Sequence, residues 1–558
     1  MINFTKSNRA KIIEQCKEDL FDILIVGGGI TGAGIALDAV SRGLSVLLVE
    51  KVDFAEGTSS KSTKLVHGGL RYLKNLEFKL VKDAGRERAV LYQNAPHIVY
   101  PQEMILPIYK ENKYGKLLTS FALWIYDSLA GVEPKYKKKN LSRIQLIKKI
   151  PLLKEDGLKG GISYYEYRTK DSRLVIENIK KANELGAVAL NYVELIQIET
   201  QKDKTVSAKL FDKISQQEIR CKSKVIVNAT GAWADEILNK NQISNKKLIF
   251  PSKGIHIVFD KVNFPIHKSI YIEIDDGRMI FAIPSGNKVY VGTSDDEYKG
   301  NLDNPFAIEQ EVDYLLNAIN HYLKKNLSKD KIEISWAGIR PLINKNSKKI
   351  DSISRKEEII VHNKNVVSVL GGKLTAYRLM AENAIDKILP LLGKQVKNSP
   401  SQTKEIPLAG AEFGFGKIEV HKLVAYEETL FYQAYQLNAT TELIHNLFNT
   451  YGKNLEIIIE RAFDIYNKIE NRTLVWLEAE IWYVVNFEML LSLSDFMIRR
   501  TDRFFLQQKE STKELDDIMK ILSRELNLSE NETKEQFVTY KAFVEKNSMA
   551  FSSQEISN

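Results

Sequence analysis

The sequence contains only two cysteines, Cys16 and Cys221, in 558 residues. A single pair cannot staple a disulfide scaffold or build a cysteine-rich zinc site, and it fits a reducing compartment. No metal-ligand set is expected. Long apolar runs are also missing. The nearest, residues 117–132 (LLTSFALWIYDSLAGV), carries Asp127. It falls short of the roughly 20 residues that a bilayer-spanning helix needs. Residues 1–20 are polar and mixed in charge, without the apolar core of a signal peptide. No internal repeat or low-complexity tract is present. These absences predict a protein kept in the cytosol that can lie on a membrane but not span it.

The composition is that of a folded chain. Hydrophobic residues make up 44% and charged residues 27%, which excludes wholly disordered and collagen-like chains. At about 150 residues per domain, the length predicts two to four domains. Net charge is +9, from 80 Lys+Arg against 71 Asp+Glu. So mild an excess does not mark a nucleic-acid binder. It suits anionic lipid or a phosphorylated substrate equally well.

Residues 6–18 suit a polar lead-in helix. Residues 21–26 (FDILIV) form an apolar run of strand type, residues 33–42 suit a helix, and residues 44–50 (LSVLLVE) form a second strand. Strand, glycine turn, helix and strand in so short a space make a βαβ unit. Residues 77–95 are predicted helical. Residues 224–228, 255–259, 288–292 and 366–370 are predicted strands, with a helix from about 375 to 392. Residues 393–407 are polar with two prolines and suggest a linker. Beyond about 415 the pattern is helical, as over residues 482–500.

The turn between the first two strands reads Gly27-Gly28-Gly29-Ile30-Thr31-Gly32. In G-x-G-x-x-G the first glycine permits a tight turn, the second lets backbone approach a pyrophosphate, and the third lets helix pack on strand. The helix N-terminus, with Ile30 and Thr31, then faces the phosphates. Glu50 ends the second strand, where a ribose-hydroxyl acceptor is expected. This context does not distinguish FAD from NAD.

The run GTSSKSTKLVHGGLRYL at residues 57–73 resembles the flavin-contacting loop of FAD-dependent glycerol-3-phosphate dehydrogenases, within the D-amino-acid-oxidase-like flavoprotein superfamily. Four other stretches are similar to that family. They are VNATGAW at 227–233, KGIH at 253–256, GIRPL at 338–342 and GGKLTAYR at 371–378. The likeness covers about residues 20–395, and residues 480–500 resemble its helical C-terminal part, including the Arg499-Arg500-Thr501 run. Ala376 departs from a usual threonine, and Phe487 stands where a histidine is common.

The resemblance implies an α/β fold: a Rossmann-type FAD-binding domain, a mixed-sheet substrate domain and an all-α C-terminal domain. The first two are expected to interleave within residues 1–400. The FAD-binding part falls mainly in 20–110, 170–250 and 335–395, and the substrate part mainly in 95–170 and 245–335. The helical domain follows over 401–558.

The implied reaction is oxidation of glycerol 3-phosphate to dihydroxyacetone phosphate by hydride transfer to FAD, with electrons passed to a membrane quinone. That chemistry needs cations for the phosphate and a group to take the hydroxyl proton. Arg71 and Arg340 are the first phosphate candidates, with Tyr72 beside Arg71, and Arg355 and Lys373 follow. Each arginine has the alternative of a structural ion pair. His256 is the proton-transfer candidate, and a water activated by the arginines is the alternative base.

For FAD, the candidates are Gly27, Gly29, Ile30, Thr31, Gly32 and Glu50, then Ser59 and Ser60, whose hydroxyls otherwise serve ordinary turn chemistry. Lys64, Gly69 and Leu70 are expected near the isoalloxazine. Ala229 and Gly231 lie in the strand-to-flavin turn. Gly372, Lys373, Leu374 and Thr375 open a helix whose N–H groups suit the flavin's pyrimidine end.

Lysines at 135 and 137–139, following the apolar 117–132 stretch, suit an anionic membrane surface or an ordinary solvated loop. The expected place is the inner face of the cell membrane, peripherally bound, and a homodimer is left open. Competing readings are a glycerophosphate oxidase that reduces oxygen to hydrogen peroxide, an amine or amino-acid oxidase of the superfamily, and a non-catalytic flavin-binding protein. No large insertion of the kind carried by streptococcal oxidases is present.

Overall fold

The computed structural model describes residues 4–68, 77–112, 115–201, 205–274, 277–344, 357–363, 365–393 and 399–548. Among them the chain builds two sheets and a helical C-terminal region. The mixed α/β architecture is the one the sequence implies.

The first sheet runs in the order Glu358–Val361, Val366–Leu370, Gln217–Asn228, Leu20–Val26, Val46–Val49, Val188–Leu190. Along this order the pairings are parallel except at the Glu358–Val361 edge, and Val206–Asp212 and Val193–Thr200 add an antiparallel branch on Gln217–Asn228. The runs VLLV and VVSVL are buried throughout, as a parallel sheet covered by helices requires. The helices Ile30–Ser41, Asp171–Glu184 and Tyr377–Ile388 contribute to the same core.

The second sheet is mostly antiparallel. Val99–Tyr109 pairs with Leu158–Thr169, and Ile249–Asp260 pairs with Ile332–Ile343. The last of these strands lies wholly in the second sheet, although its sequence position falls mostly in a stretch expected to serve the nucleotide. Its long register with Ile249–Asp260 holds it there. The two-residue period puts Ser252, Gly254 and His256 on one face, and the register sets Arg340, Gly338 and Trp336 beside them.

After Leu389–Leu392 the described elements are all helical. The continuous helix expected over 482–500 is interrupted. Val475–Phe487 ends at Glu488, Met489 takes a positive φ of 48°, and Asp495–Arg500 forms a π-helix. Glu488 is drawn out of helical register by Arg173, whose Nη1 and Nη2 reach its carboxylate at 2.6 and 2.8 Å, and by Lys180 at 3.1 Å. Phe487 stacks on Tyr483 at 5.1 Å.

Candidate flavin and substrate site

A cavity of about 540 Å³ opens at the carboxyl end of the first sheet. Such a crevice, beyond the strand ends of a parallel sheet, is where this topology binds dinucleotides. Gly27, Gly29, Ile30, Thr31 and Glu50 line it. Ser59, Ala229, Gly231, Gly372, Lys373 and Leu374 also line it.

The three motif glycines have different reasons to be glycine. Gly27 has φ +112°, and a Cβ there would stand 2.6 Å from the Ala229 carbonyl oxygen. A Cβ at Gly32 would drive into the Gly27 carbonyl. Gly29 has an ordinary φ of −80°, and only the Ser59 hydroxyl lies near, at 3.2 Å from such a Cβ. Folding demands glycine at 27 and 32. At 29 the demand fits a ligand pressed against the backbone.

Glu50 turns its carboxylate back on the turn. Oε2 accepts from the Gly28 N–H at 2.8 Å and Oε1 from the Val52 N–H at 3.1 Å. Burial raises its pKa above the usual carboxylate range. Each oxygen keeps a second lone pair, so a ribose hydroxyl can still be accepted. Ser59 Oγ accepts from the Ile30 N–H at 3.0 Å, tying the 57–61 segment to the helix N-terminus.

Trp233 also lines the cavity, packed near Gly57. Its indole Nε1–H is buried with no hydrogen-bond partner among the described residues. Lys51 Nζ lies 4.8 Å from the Trp233 ring centroid and 2.5 Å from Asp303 of the second sheet's connecting segment. An aromatic wall, a helix N-terminus and a carboxylate at a strand end fit the adenosine diphosphate half of FAD.

The remaining cofactor candidates lie elsewhere. Gly32 and Ser60 do not line the cavity, and Ser60 is buried. Lys64, expected near the isoalloxazine, is buried in an ion pair. Its Nζ lies 2.6 Å from Asp171 Oδ1 and 3.3 Å from Asp502 Oδ1. Thr375 is a mortise: its Oγ1 donates to the His67 carbonyl at 2.9 Å and accepts from the His67 N–H at 3.0 Å. Gly69, Leu70, Arg71, Tyr72 and Arg355 lie outside the described residues.

Arg340 and His256 share one face of the second sheet. The Arg340 guanidinium lies over Gly254, where any Cβ would collide with it. Nη1 donates to the Ser294 carbonyl at 3.1 Å and to Asp295 at 3.3 Å, and Nη2 donates to Thr293 Oγ1 at 2.5 Å. His256 is 1% exposed and stacks on Trp336, with ring centroids 4.6 Å apart. Its Nε2 lies 3.0 Å from Thr63 Oγ1, and Nδ1 has no partner among the described residues. Burial, then the charges of Arg340 and Lys64, hold its pKa well below the usual histidine value, so the ring is neutral at pH 7.

Sequence reasoning missed Thr63, Trp336, Trp233 and Asp171. Trp336 stands two residues before the 338–342 motif, and Thr63 lies inside the 57–73 run, so both were within reach of the motifs. Asp171 carried no local signal. It accepts from the Ser62 N–H and Oγ at 3.0 and 2.7 Å while pairing with Lys64.

A crevice of nucleotide type on a parallel sheet, with a second sheet carrying a cation and a neutral imidazole joined to it through the 57–63 segment, fits an FAD-dependent oxidoreductase. Residues 22–378 match the family described as FAD dependent oxidoreductase. Residues 401–533 match the C-terminal domain of alpha-glycerophosphate oxidase. The chain is 40% identical over 506 residues to the aerobic glycerol-3-phosphate dehydrogenase of Bacillus subtilis (strain 168), covering 90% of each chain. It is 39% identical over 526 residues to the enzyme of that name from Staphylococcus aureus (strain USA300), covering 93% of this chain and 94% of that one.

The chain belongs to the FAD-dependent glycerol-3-phosphate dehydrogenase family. Its structure is similar to that of the glycerol-3-phosphate dehydrogenase from Bacillus halodurans complexed with FAD. The TM-score is 0.84 at 32% identity, over 99% of this chain and 100% of that one. The L-alpha-glycerophosphate oxidase of Mycoplasma pneumoniae shares the fold, with a TM-score of 0.55 at 17% identity over 69% of this chain and 98% of that one.

Proposed function

We propose that the chain oxidises glycerol 3-phosphate to dihydroxyacetone phosphate and passes the electrons through FAD to a membrane quinone. One observation carries the reading: Arg340 and neutral His256 stand on one sheet face, turned toward the 57–63 segment that also lines the nucleotide cavity. Bound FAD supplies the hydride acceptor.

Arg340 holds the phosphate, its guanidinium plane fixed by three hydrogen bonds from the chain. Lys373, at the cavity wall, adds a second cation. Arg71, Tyr72 and Arg355 complete the proposed substrate set. His256 takes the hydroxyl proton. Its affinity for that proton is lowered first by burial and then by Arg340, so a phosphate dianion arriving on Arg340 relieves the second of these and readies the base when substrate is present. In this scheme the interleaved 20–110, 170–250 and 335–395 stretches mainly serve FAD while lending Arg71, Tyr72, Arg340, Arg355 and Lys373 to the substrate, and 95–170 and 245–335 mainly serve the substrate.

The quinone requires a lipid surface. Among the described residues no helix is long and apolar enough to cross a membrane. Helix Lys116–Leu129 instead leaves Leu117 88% exposed and Phe121 and Trp124 each 56% exposed. Lys137 and Lys139 are exposed in the segment that follows. An apolar ridge beside cations suits docking on the anionic inner face of the cell membrane.

The test is anaerobic titration with glycerol 3-phosphate, followed by re-oxidation. Bleaching of the flavin, with recovery faster by a ubiquinone or menaquinone analogue than by oxygen, is the expected result. Rapid recovery by oxygen with hydrogen peroxide release and none by quinone assigns an oxidase. Arg340→Ala should lower kcat/KM for glycerol 3-phosphate by about 10- to 150-fold, the range of one charge-assisted hydrogen bond. Unphosphorylated glycerol should be affected far less. Equal losses on both overturn the phosphate role.

A further inference from the structure

The helical C-terminal region reaches the sheet face that carries His256 through one short turn. Asp502 takes a left-handed φ of 57° and starts the helix Arg503–Leu506. Arg503 anchors the turn on Glu480 at 2.9 Å, and the Phe505 N–H bonds the Asp502 carbonyl at 3.0 Å. Asp502 and Phe505 are thereby presented together to the sheet.

Phe505 stands edge-on to Trp336, with centroids 5.2 Å apart at 73°. Trp336 in turn lies flat on His256 at 4.6 Å and 13°. An edge-to-face contact followed by a stack is a directional arrangement, so the plane of the last ring depends on the first. All three rings are buried, so none has room to tilt alone.

The same turn reaches Lys64. Asp502 lies 3.3 Å from Lys64 Nζ, and the ammonium sits 4.5 Å from the Phe505 ring centroid. Lys64 follows Thr63, whose hydroxyl meets His256 Nε2 and whose carbonyl accepts from the Tyr290 hydroxyl at 3.1 Å. The imidazole is therefore fixed at its face by Trp336 and at its edge by Thr63. Phe505 supports the first contact, and both Phe505 and Asp502 support the second.

We infer that Phe505 is a positioning residue for His256, with Asp502 supporting it, so that the C-terminal region sets the orientation of the proton-accepting ring. The inference rests on the reading of His256 as the base. Neither residue touches the substrate; both act through Trp336, Lys64 and Thr63.

The experiment is a double-mutant cycle on the full-length holoenzyme. Phe505→Leu, His256→Ala and the double variant are reduced anaerobically by glycerol 3-phosphate in a stopped-flow instrument. Phe505→Leu should lower the limiting rate of flavin reduction by about tenfold or more, the scale of a small misplacement of a reacting group. The half-saturating substrate concentration and the FAD content should change less than about twofold, because the phosphate and nucleotide contacts are untouched.

In the His256→Ala background the same substitution should cost nothing further. In a spectrum of histidine-labelled protein without substrate, the imidazole signal that disappears in His256→Ala should shift in Phe505→Leu. Phe505→Met, whose unbranched thioether reaches further toward Trp336 than leucine does, should restore part of the rate. If Phe505→Leu does not fold, Phe505→Met and Asp502→Asn go through the same cycle.

An equal slowing in the presence and absence of His256 overturns the positioning role, as does an unmoved imidazole signal. A His256→Ala enzyme that reduces its flavin at the parental rate overturns the base reading itself, and the positioning role with it.

Discussion

Arg500 grips Asp53 with both arms of its guanidinium, Nη1 to Oδ2 at 2.7 Å and Nη2 to Oδ1 at 3.0 Å, across 447 residues of chain. Arg499 adds a third bond to Asp53 at 2.6 Å and reaches on to Glu56. Glu56 lines the nucleotide cavity. The 53–56 segment at the cavity wall is thus tied to the C-terminal region.

Asp53→Asn should destabilise the protein by about 3–5 kcal/mol, because Arg500 loses its closest buried carboxylate and Arg499 loses one of three. Burial alone would raise the Asp53 pKa, but Arg500 and Arg499 outweigh it and hold the carboxyl below its ordinary range. The sign follows. The contribution is present above the unfolded pKa of about 3.9 and is lost as pH falls through the lower folded value. Denaturant unfolding from pH 7 to pH 3 checks both points, and the variant should show a flatter curve below about pH 4. Arg500→Lys should not substitute, since a lysine cannot make the paired bonds.

Gly29→Val should fold and lose its cofactor, whereas Gly32→Val should fail to fold. Only at Gly32 would the new side chain strike backbone. The ratio of flavin to protein absorbance, read beside circular dichroism, separates the two. A yellow Gly29→Val protein at full occupancy would show that the turn does not carry the pyrophosphate.

His97 is buried, with both ring nitrogens unpartnered among the described residues. Burial, then Arg173, Lys180 and Lys170, push its pKa well below the usual value. It therefore stabilises the fold above the unfolded pKa of about 6.5, and each pH unit below that costs about 1.4 kcal/mol until the folded pKa is reached. His97→Leu should remove that part of the slope between pH 6.5 and 5. An unchanged slope would place the acid sensitivity elsewhere.

Of the lysines after the exposed helix, Lys138 is committed. Its Nζ donates to Ser120 Oγ at 2.5 Å, and its backbone N–H reaches Asp127 at 2.7 Å. Lys137→Glu with Lys139→Glu should weaken binding to anionic liposomes and make it less salt-sensitive, by about 1 kcal/mol per lysine. Phe121→Ser with Trp124→Ser should remove the part that survives high salt. Liposome sedimentation over a salt series reads both, and intact activity with a soluble dye confirms that the site is undisturbed.

Much of this architecture was legible because its signals are local. The Gly27–Gly32 turn and Glu50 fall within one βαβ unit, and burial follows their apolar runs directly. Five of the eleven cavity-lining candidates come from that unit, and the other six from stretches that resemble the family. Lys64 shows where that stops. Its motif suggested a place near the flavin but did not show that its charge is met by Asp171 and Asp502, the latter 438 residues away. Thr375 is similar: its hydroxyl serves the His67 backbone across 308 residues. A sequence pattern shows that a residue faces inward, but not which distant charge meets it. The break at Glu488 escaped for the same reason, since its cause lies on the helix Asp171–Glu184.

The span between Asp53 and Arg500 also orders the birth of the protein. A ribosome makes the whole nucleotide turn early, and the strand Val366–Leu370 that completes its sheet much later. The guanidinium groups that neutralise Asp53 come later still. Until they arrive, the nascent chain carries a carboxylate that cannot be buried alone. The segment that lines the nucleotide cavity gains its buried ion pairs only after the C-terminal helices are made, so the finished cavity wall is a late product of synthesis rather than an early one.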